Sequence, residues 1–400
     1  MSFAPTRADA LSQLAEFLPN AGRAYAATRN RDTGPGERSN VSTLSPAIRR
    51  RLISEQEVSE AAFRSHGLPA AEKFIQEVCW RTYWRGHLEM RPAIWRRYLA
   101  DVERLESRLA NDRGLAAAHA EALAANTGID CFDFWVMELK SAGYLHNHAR
   151  MCFASIWIFT LKLPWQLGAA FFYRHLLDAC PAANTLSWRW VAGLQTAGKT
   201  YLASAERIRT VSGGRFEVRK PLATSAPAVA PEPPVAIVEL RALPPADPGA
   251  RSGLWLHTED LSPEAIVYPA AVQAIAAVDG IGGDPAGIKR RFADTALEDA
   301  IGRAGAHFDA GVDRLPEAAL ESALPEWAVR HRLVQLLTPY APVGPVADRV
   351  ASVRIALAAQ GVSLVEIRRP WDSRAWPHAG RGFFQFKAHI ADLVNPGLFG

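Results

Sequence analysis

Up to about Arg219, apolar residues recur at spacings of three and four, the signature of amphipathic helices. Leu11, Leu14, Phe17 and Leu18 make one face of a first helix. Pro69 stands where a helix from Ala70 to about Met90 begins, and Pro164 opens another that carries Trp165, Leu167, Phe171 and Phe172. Proline suits such positions because the first helical N–H has no partner to lose. No hairpin pattern interrupts this half, so residues 1–220 read as an all-α domain. Residues 221–250 contain eight prolines; such chain cannot continue a helix and favours extended, polyproline-like linker, with Ala236–Leu240 expected to pair as a short strand. Beyond it the period changes. Gly253–His257, Leu333–Thr338 and Val362–Ile367 read as short buried strands, and Ala265–Val278, Gly287–Ala306 and Val346–Gln360 as helices. That alternation predicts a small α/β, Rossmann-like domain with a largely parallel sheet over residues 251–400.

Composition narrows the class. With 400 residues, 49% hydrophobic and 22% charged, the chain has the make-up of a soluble protein of two domains. No run approaches the roughly 20 apolar residues of a membrane helix. The first residues read as an amphipathic helix without a signal-peptide pattern, so a cytoplasmic monomer with no membrane partner is expected. Cys79, Cys131, Cys152 and Cys180 lie far apart, the usage of reduced, buried thiols, and no metal site is expected. The net charge of +4 hides an asymmetry: residues 1–220 hold 29 Lys/Arg against 21 Asp/Glu, and residues 221–400 hold 16 against 20. A basic first half suits a polyanion, and equally an ordinary solvated surface.

Candidate chemistry gathers in four stretches. In Asn40–Pro46, the hydroxyls of Ser42, Thr43 and Ser45 flank Leu44 just before a helix, a polar corner that suits a phosphate or simply caps the helix. In Phe74–Leu88, Glu77, Trp80, Arg81 and Trp84 recur on one helical face. An aromatic stripe is usually core, yet Glu77 and Arg81 are costly to bury there without partners. Gly143–Met151 places His146, Asn147, His148 and Arg150 at a helix start, where the histidines alone would read as local hydrogen bonding. Asp178–Trp190 joins Asp178, Asn184, Trp188 and Trp190. A tryptophan-rich pocket with a few placed polar groups suits a flat, electron-rich cofactor better than hydrolytic chemistry.

Together these stretches resemble, motif for motif, the FAD-binding domain of the photolyase/cryptochrome family, over about residues 8–215. The resemblance implies that Tyr25, Ser42, Thr43, Leu44, Ser45, Arg81, Arg150, Asp178 and Asn184 hold FAD. It implies that Glu77, Trp80, Asn147, Met151 and Trp190 face a cyclobutane pyrimidine dimer flipped out of DNA. Asn147 and Met151 mark the cyclobutane-dimer type, since histidine is expected at both positions in (6–4) photolyases. Trp188 and Trp165 would be the first two members of an electron-transfer chain. Departures are visible: His148 replaces an arginine, Trp84 a tyrosine and Cys180 an aspartate, and Asp112 lies near the place of the third chain tryptophan. Trp95, Tyr98, Trp135 or Trp157 could complete another route, core packing being the ordinary reading of Trp135 and Trp157. The family's N-terminal antenna domain has no counterpart ahead of the helical domain, so residues 251–400 are expected to be a rearranged, antenna-like domain with its chromophore unassigned. The loop 338–345 reads as a proline-rich turn. The aromatic and arginine-rich tail 368–387 reads as a packing surface, a chromophore stack or a DNA contact. The implied activity is that of a deoxyribodipyrimidine photo-lyase, a flavoprotein carbon–carbon lyase acting on UV-damaged DNA by electron transfer from light-excited, reduced FAD. The alternative is a cryptochrome-like blue-light photoreceptor without repair activity, and a third reading is a DNA-binding protein without flavin.

Overall fold

A computed structural model describes residues 3–196, 198–278 and 287–395. The helical domain is built around one long helix, Leu68–Glu89, with Pro69 in its first turn; we call it the central helix. The preceding helix, Glu55–His66, starts in a capping box in which Ser54 and Glu57 satisfy each other's backbone N–H groups. The first helix ends at Phe17 because Pro19 falls in the tighter 3₁₀ turn Leu18–Asn20. Leu14 and Phe17 are buried as the periodicity predicts, but Leu11 faces solvent. Pro164 caps the Trp165–His175 helix. Residues 221–250 do not pair as a strand. They run as an extended strap along the helices: Val229 N–H donates to Ala192 O, Val238 N–H to Met90 O, and Glu232 pairs with Arg97 and Arg189. Within the expected strand Ala236–Leu240, the Val238 N–H engages the C-terminal end of the central helix rather than another strand.

The second domain is a five-stranded parallel sheet in the order β3-β2-β1-β4-β5, with β1 at Ser252–Leu256, β2 at Val272–Val278, β3 at Val312–Leu315, β4 at Gln335–Pro339 and β5 at Ser363–Ile367. Three strands match the sequence expectation; β2 corrects it. Ala265–Val278 is a short 3₁₀ turn followed by a strand, not a helix. A strand buried on both faces between β1 and β3 shows no alternation, and its alanines mimic a helix. The short edge strand β3 also escaped prediction. Along β1 the side chains alternate between two cores. Leu254 and Leu256 join the large core shared with the helical domain, whereas Trp255 packs on the opposite side with Trp327, Leu324 and Leu336.

The two domains are joined by buried ion pairs. Arg49 grips Glu259 through two bonds of 2.6 Å and Arg51 grips Asp372 at 2.7 and 2.8 Å, while within the sheet domain Arg369 orients Asp260 with bonds of 2.6 and 2.7 Å. Arg51 also reaches Asp260 and Glu55, and Arg85 reaches Glu55. Arg51 holds a φ of 53°, a left-handed conformation that costs a non-glycine residue roughly 1–2 kcal/mol. The pairs around its guanidinium hold it there. In doubly wound sheets the crevice between β1 and β4, where the winding reverses, is the usual place for a ligand. Here the loops after those strands meet the helical domain instead: Glu259 and Asp260 bind its arginines, Tyr340 Oη and Val343 N–H bind Glu89, and Gly344 lies against Pro181.

Candidate functional site

The site is organised by Asp178, a buried carboxylate just ahead of the Pro181–Val191 helix. Arg150 grips it with bonds of 3.0 and 2.9 Å. Burial opposes ionisation, but the Arg150 guanidinium overrides it and holds this carboxyl below its usual range. Ser45 also bonds to Asp178, and Arg81, projecting from the central helix, donates to its backbone oxygen at 3.3 Å. Ser45 begins the loop's short helix. Ahead of it, Thr43 has a φ of 51°, an uncommon conformation for a β-branched residue and one that clusters at ligand sites. Gln13 fixes this corner, donating to Ser42 O at 2.7 Å and to Thr43 Oγ1 at 2.6 Å. Leu44 is buried beneath it. The phosphate-type hydroxyls, two guanidiniums and one carboxylate, remote in sequence, thus converge on one place.

Asn184 lies one turn into the Pro181–Val191 helix, its amide donating to Ala169 O at 2.8 Å. Cys180 caps this helix, accepting the Ala183 N–H, so the thiol does the capping work an aspartate would do at that position. Trp188 is buried against Phe153, Phe172 and Trp157, with centroids 6.4, 5.1 and 6.3 Å away. Its Nε1 and the Thr185 hydroxyl are buried without partners. Close approach of this ring requires Gly168, where a Cβ would fall 2.3 Å from the indole. Trp165 stacks on Tyr98 at 5.7 Å, and Tyr98 meets Trp95 at a tilt with centroids 5.3 Å apart.

A second cluster borders the first. Tyr25 packs edge-on to Phe74 at 5.1 Å. Arg29 reaches Glu77 at 3.5 Å, and its backbone oxygen meets His146 Nε2 at 2.9 Å. Arg29 therefore links Glu77 on the central helix to His146, the residue before Asn147. Asn147 is exposed, its amide 4.0 Å from Met151 Sδ. Although 38% of the Glu77 side chain is open to water, the apolar walls beside it raise its pKa above the usual carboxylate value, Arg29 pulling the other way. Burial pushes His146 down to about 4 and also lowers His148, so both are neutral at pH 7. Trp190 is half-buried and stacks on Tyr201 at 5.8 Å. Trp80 is half-buried, with one ring face covered by Phe383 at 3.6 Å and 10°. Phe383, Arg29 and Gly168 carried no individual signal in the sequence; only the aromatic crowding of the tail pointed toward Phe383. A separate cavity of about 460 Å³, lined by Thr33, Gly34, Pro35, Glu37, Phe134, Arg215 and Phe216, touches none of the sequence-predicted site residues.

Residues 74–213, which carry most of these groups, match the model of the FAD binding domain of DNA photolyase. The chain thus carries a stretch similar to the photolyase FAD-binding domain. It is 34% identical over 182 residues to a deoxyribodipyrimidine photo-lyase of Streptomyces griseus, covering 45% of this chain and 37% of that protein. With the enzyme of the same name from Thermus thermophilus it shares 30% over 239 residues, 59% of this chain and 54% of that one. The chain thus spans between about two-fifths and half the length of these curated relatives. A bacterial class III photolyase from Agrobacterium tumefaciens aligns in space with a TM-score of 0.42 at 23% identity, covering 52% of this chain and 43% of that one. FAD is the cofactor of this family domain, and the donor set fits it. The hydroxyl corner at Ser42, Thr43 and Ser45 suits a diphosphate, Arg81 supplies positive charge, and the Arg150–Asp178 pair with the Asn184 amide offers both donors and acceptors to a polar ring edge.

Proposed function

We propose that the protein repairs cyclobutane pyrimidine dimers in DNA in a light-dependent, FAD-dependent reaction, as a deoxyribodipyrimidine photo-lyase. The observation that carries this reading is the convergence of Ser45, Arg81 and Arg150 on Asp178, with Arg29 linking Glu77 to His146, the residue before Asn147. A pure light sensor has no use for that second cluster. When bound, reduced FAD supplies a light-excited electron. The chain's own residues do the rest. Ser42, Thr43, Ser45 and Arg81 hold the cofactor's phosphates, and Arg150, Asp178 and Asn184 orient its ring. Trp80 and Trp190 give apolar surfaces for the two linked, flipped-out bases of the lesion, and Met151 closes the pocket near Asn147. Flipping costs least at a damaged, poorly stacked step, which supplies selectivity.

Glu77 and Asn147 meet the dimer's carbonyl and imide groups. A carboxyl with a raised pKa holds its proton to higher pH than an ordinary one, and while protonated it can donate a hydrogen bond to a carbonyl oxygen. The basic surface of residues 1–220 holds DNA phosphates, so affinity falls with salt. Residues 251–400 act as a docked support for the helical domain, since their strand-end crevice is occupied by the Glu259, Asp260 and Tyr340 contacts. The test is equilibrium binding, in the dark, of an oligonucleotide containing one thymine dimer against its undamaged twin. Tighter binding of the damaged strand is expected. Glu77→Ala should weaken it roughly ten-fold, as loss of one buried hydrogen bond would, with flavin content unchanged. Equal binding of the two oligonucleotides would refute the reading.

A further inference from the structure

Phe384 is 87% exposed, although burial of such a side chain is worth roughly 1.5–3 kcal/mol. It is not on a loose end. The short helix Phe383–Lys387 is fixed to the central helix on several sides. Phe383 stacks on Trp80, Tyr83 Oη donates to Arg381 O at 2.8 Å, and Lys387 pairs with Glu72 at 2.9 Å. Just upstream, Trp376 packs on Gly86, where a Cβ would fall 2.8 Å from its ring. Successive residues of a helix point about 100° apart. With Phe383 turned down onto Trp80, the ring proposed above to meet the lesion, the adjoining Phe384 is turned out to solvent. Arg374 and Arg381, in the same tail, are exposed as well. A rigidly mounted, exposed aromatic in a stretch that carries exposed arginines, next to the residue that covers Trp80, has the make-up of a wedge that enters a base stack.

We propose that Phe384 is a positioning residue for duplex substrate, inserting into the gap left when the dimer leaves the stack and packing on the orphaned opposite bases. The inference rests on the dimer-repair reading above. Its role is distinct from that of Trp80, because a dimer in a single strand leaves no gap to fill. Affinities of wild type, Phe384→Ala and Phe384→Leu for one thymine dimer are measured in the dark, in duplex and in single-stranded form. Phe384→Ala is expected to lose roughly ten-fold in duplex affinity, the scale of one base–aromatic contact, while keeping single-strand affinity and melting temperature. Phe384→Leu, still an apolar wedge, should recover most of the loss. If Phe384→Ala binds both forms as wild type does, or loses equally on both, the wedge is overturned and dimer recognition stands. If wild type does not distinguish dimer from intact thymines in either form, the repair reading and the wedge fall together.

Discussion

Glu259→Gln tests the coupling between the sheet domain and the flavin site. Both oxygens of Glu259 accept from Arg49, and Arg49 Nε donates to Ala179 O at 2.9 Å, one residue from Asp178. Burial alone would raise the Glu259 pKa, but the adjoining guanidinium holds it down to about 2, from an ordinary value of 4.5. That depression corresponds to about 3 kcal/mol of stability at neutral pH. Breaking a buried pair from one side costs a similar amount, about 3–5 kcal/mol, because the remaining charge is stranded. Spread over a chain of 400 residues, a loss of about 3 kcal/mol lowers the melting temperature by about 4 °C. The sign with pH follows from the depressed value. The contribution is complete above about 4.5 and is lost as pH falls toward 2, so wild type should weaken over that interval and the variant less steeply. Urea and thermal unfolding followed by circular dichroism at pH 7 and at pH 3.5 read both effects. Replacing both partners, Arg49→Met with Glu259→Leu, should recover most of the loss, since two matched apolar groups strand no charge. A Glu259→Gln protein within about 0.5 kcal/mol of wild type at pH 7, the range of an ordinary surface change, would refute the assignment of this pair as a structural tie.

Other expectations concern the site itself. Asp178→Asn removes the anchor of Arg150 and should yield protein with little bound FAD, read from the ratio of flavin to protein absorbance; full occupancy would remove Asp178 from the cofactor site. Gly168→Ala pushes a methyl into the Trp188 ring and should cost about 1–3 kcal/mol by overpacking, with an altered tryptophan emission spectrum; an unchanged spectrum and stability would mean the ring yields freely. Trp188→Phe should abolish photoreduction of the flavin while sparing repair by chemically reduced protein, and rapid photoreduction would place the electron path elsewhere. On its proposed role Glu77 donates only while protonated, so dimer affinity should fall as pH rises through its raised pKa, and Glu77→Gln should flatten that profile.

The helical domain was legible because its motifs carry chemistry at fixed spacing. Glu77, Trp80 and Arg81 share one face of a helix whose proline start the sequence displays. The sheet domain was legible only in part. β1, β4 and β5 are short apolar runs closed by turn residues, but β2 is buried on both sides and rich in alanine, so nothing local separates it from a helix. The linker composition told that no helix continues, without telling that the strap is bonded along its course to Ala192 and Met90. Pairings across the domains were invisible for a different reason. Arg49 meets Glu259, Arg51 meets Asp372, and Phe383 meets Trp80, partners more than two hundred residues apart that no periodicity connects. The tail 368–387 showed its aromatic and basic character in advance; which ring covers Trp80 and which remains in solvent emerged only from the fold.

Repair is the direct test. Purified protein with its flavin reduced is mixed with an oligonucleotide carrying one cyclobutane thymine dimer and exposed to blue light, with an identical sample kept dark. Return of intact thymines in the light and not in the dark is the expected result. A protein that holds photoreducible FAD yet leaves the dimer intact would contradict repair and point to a photoreceptor.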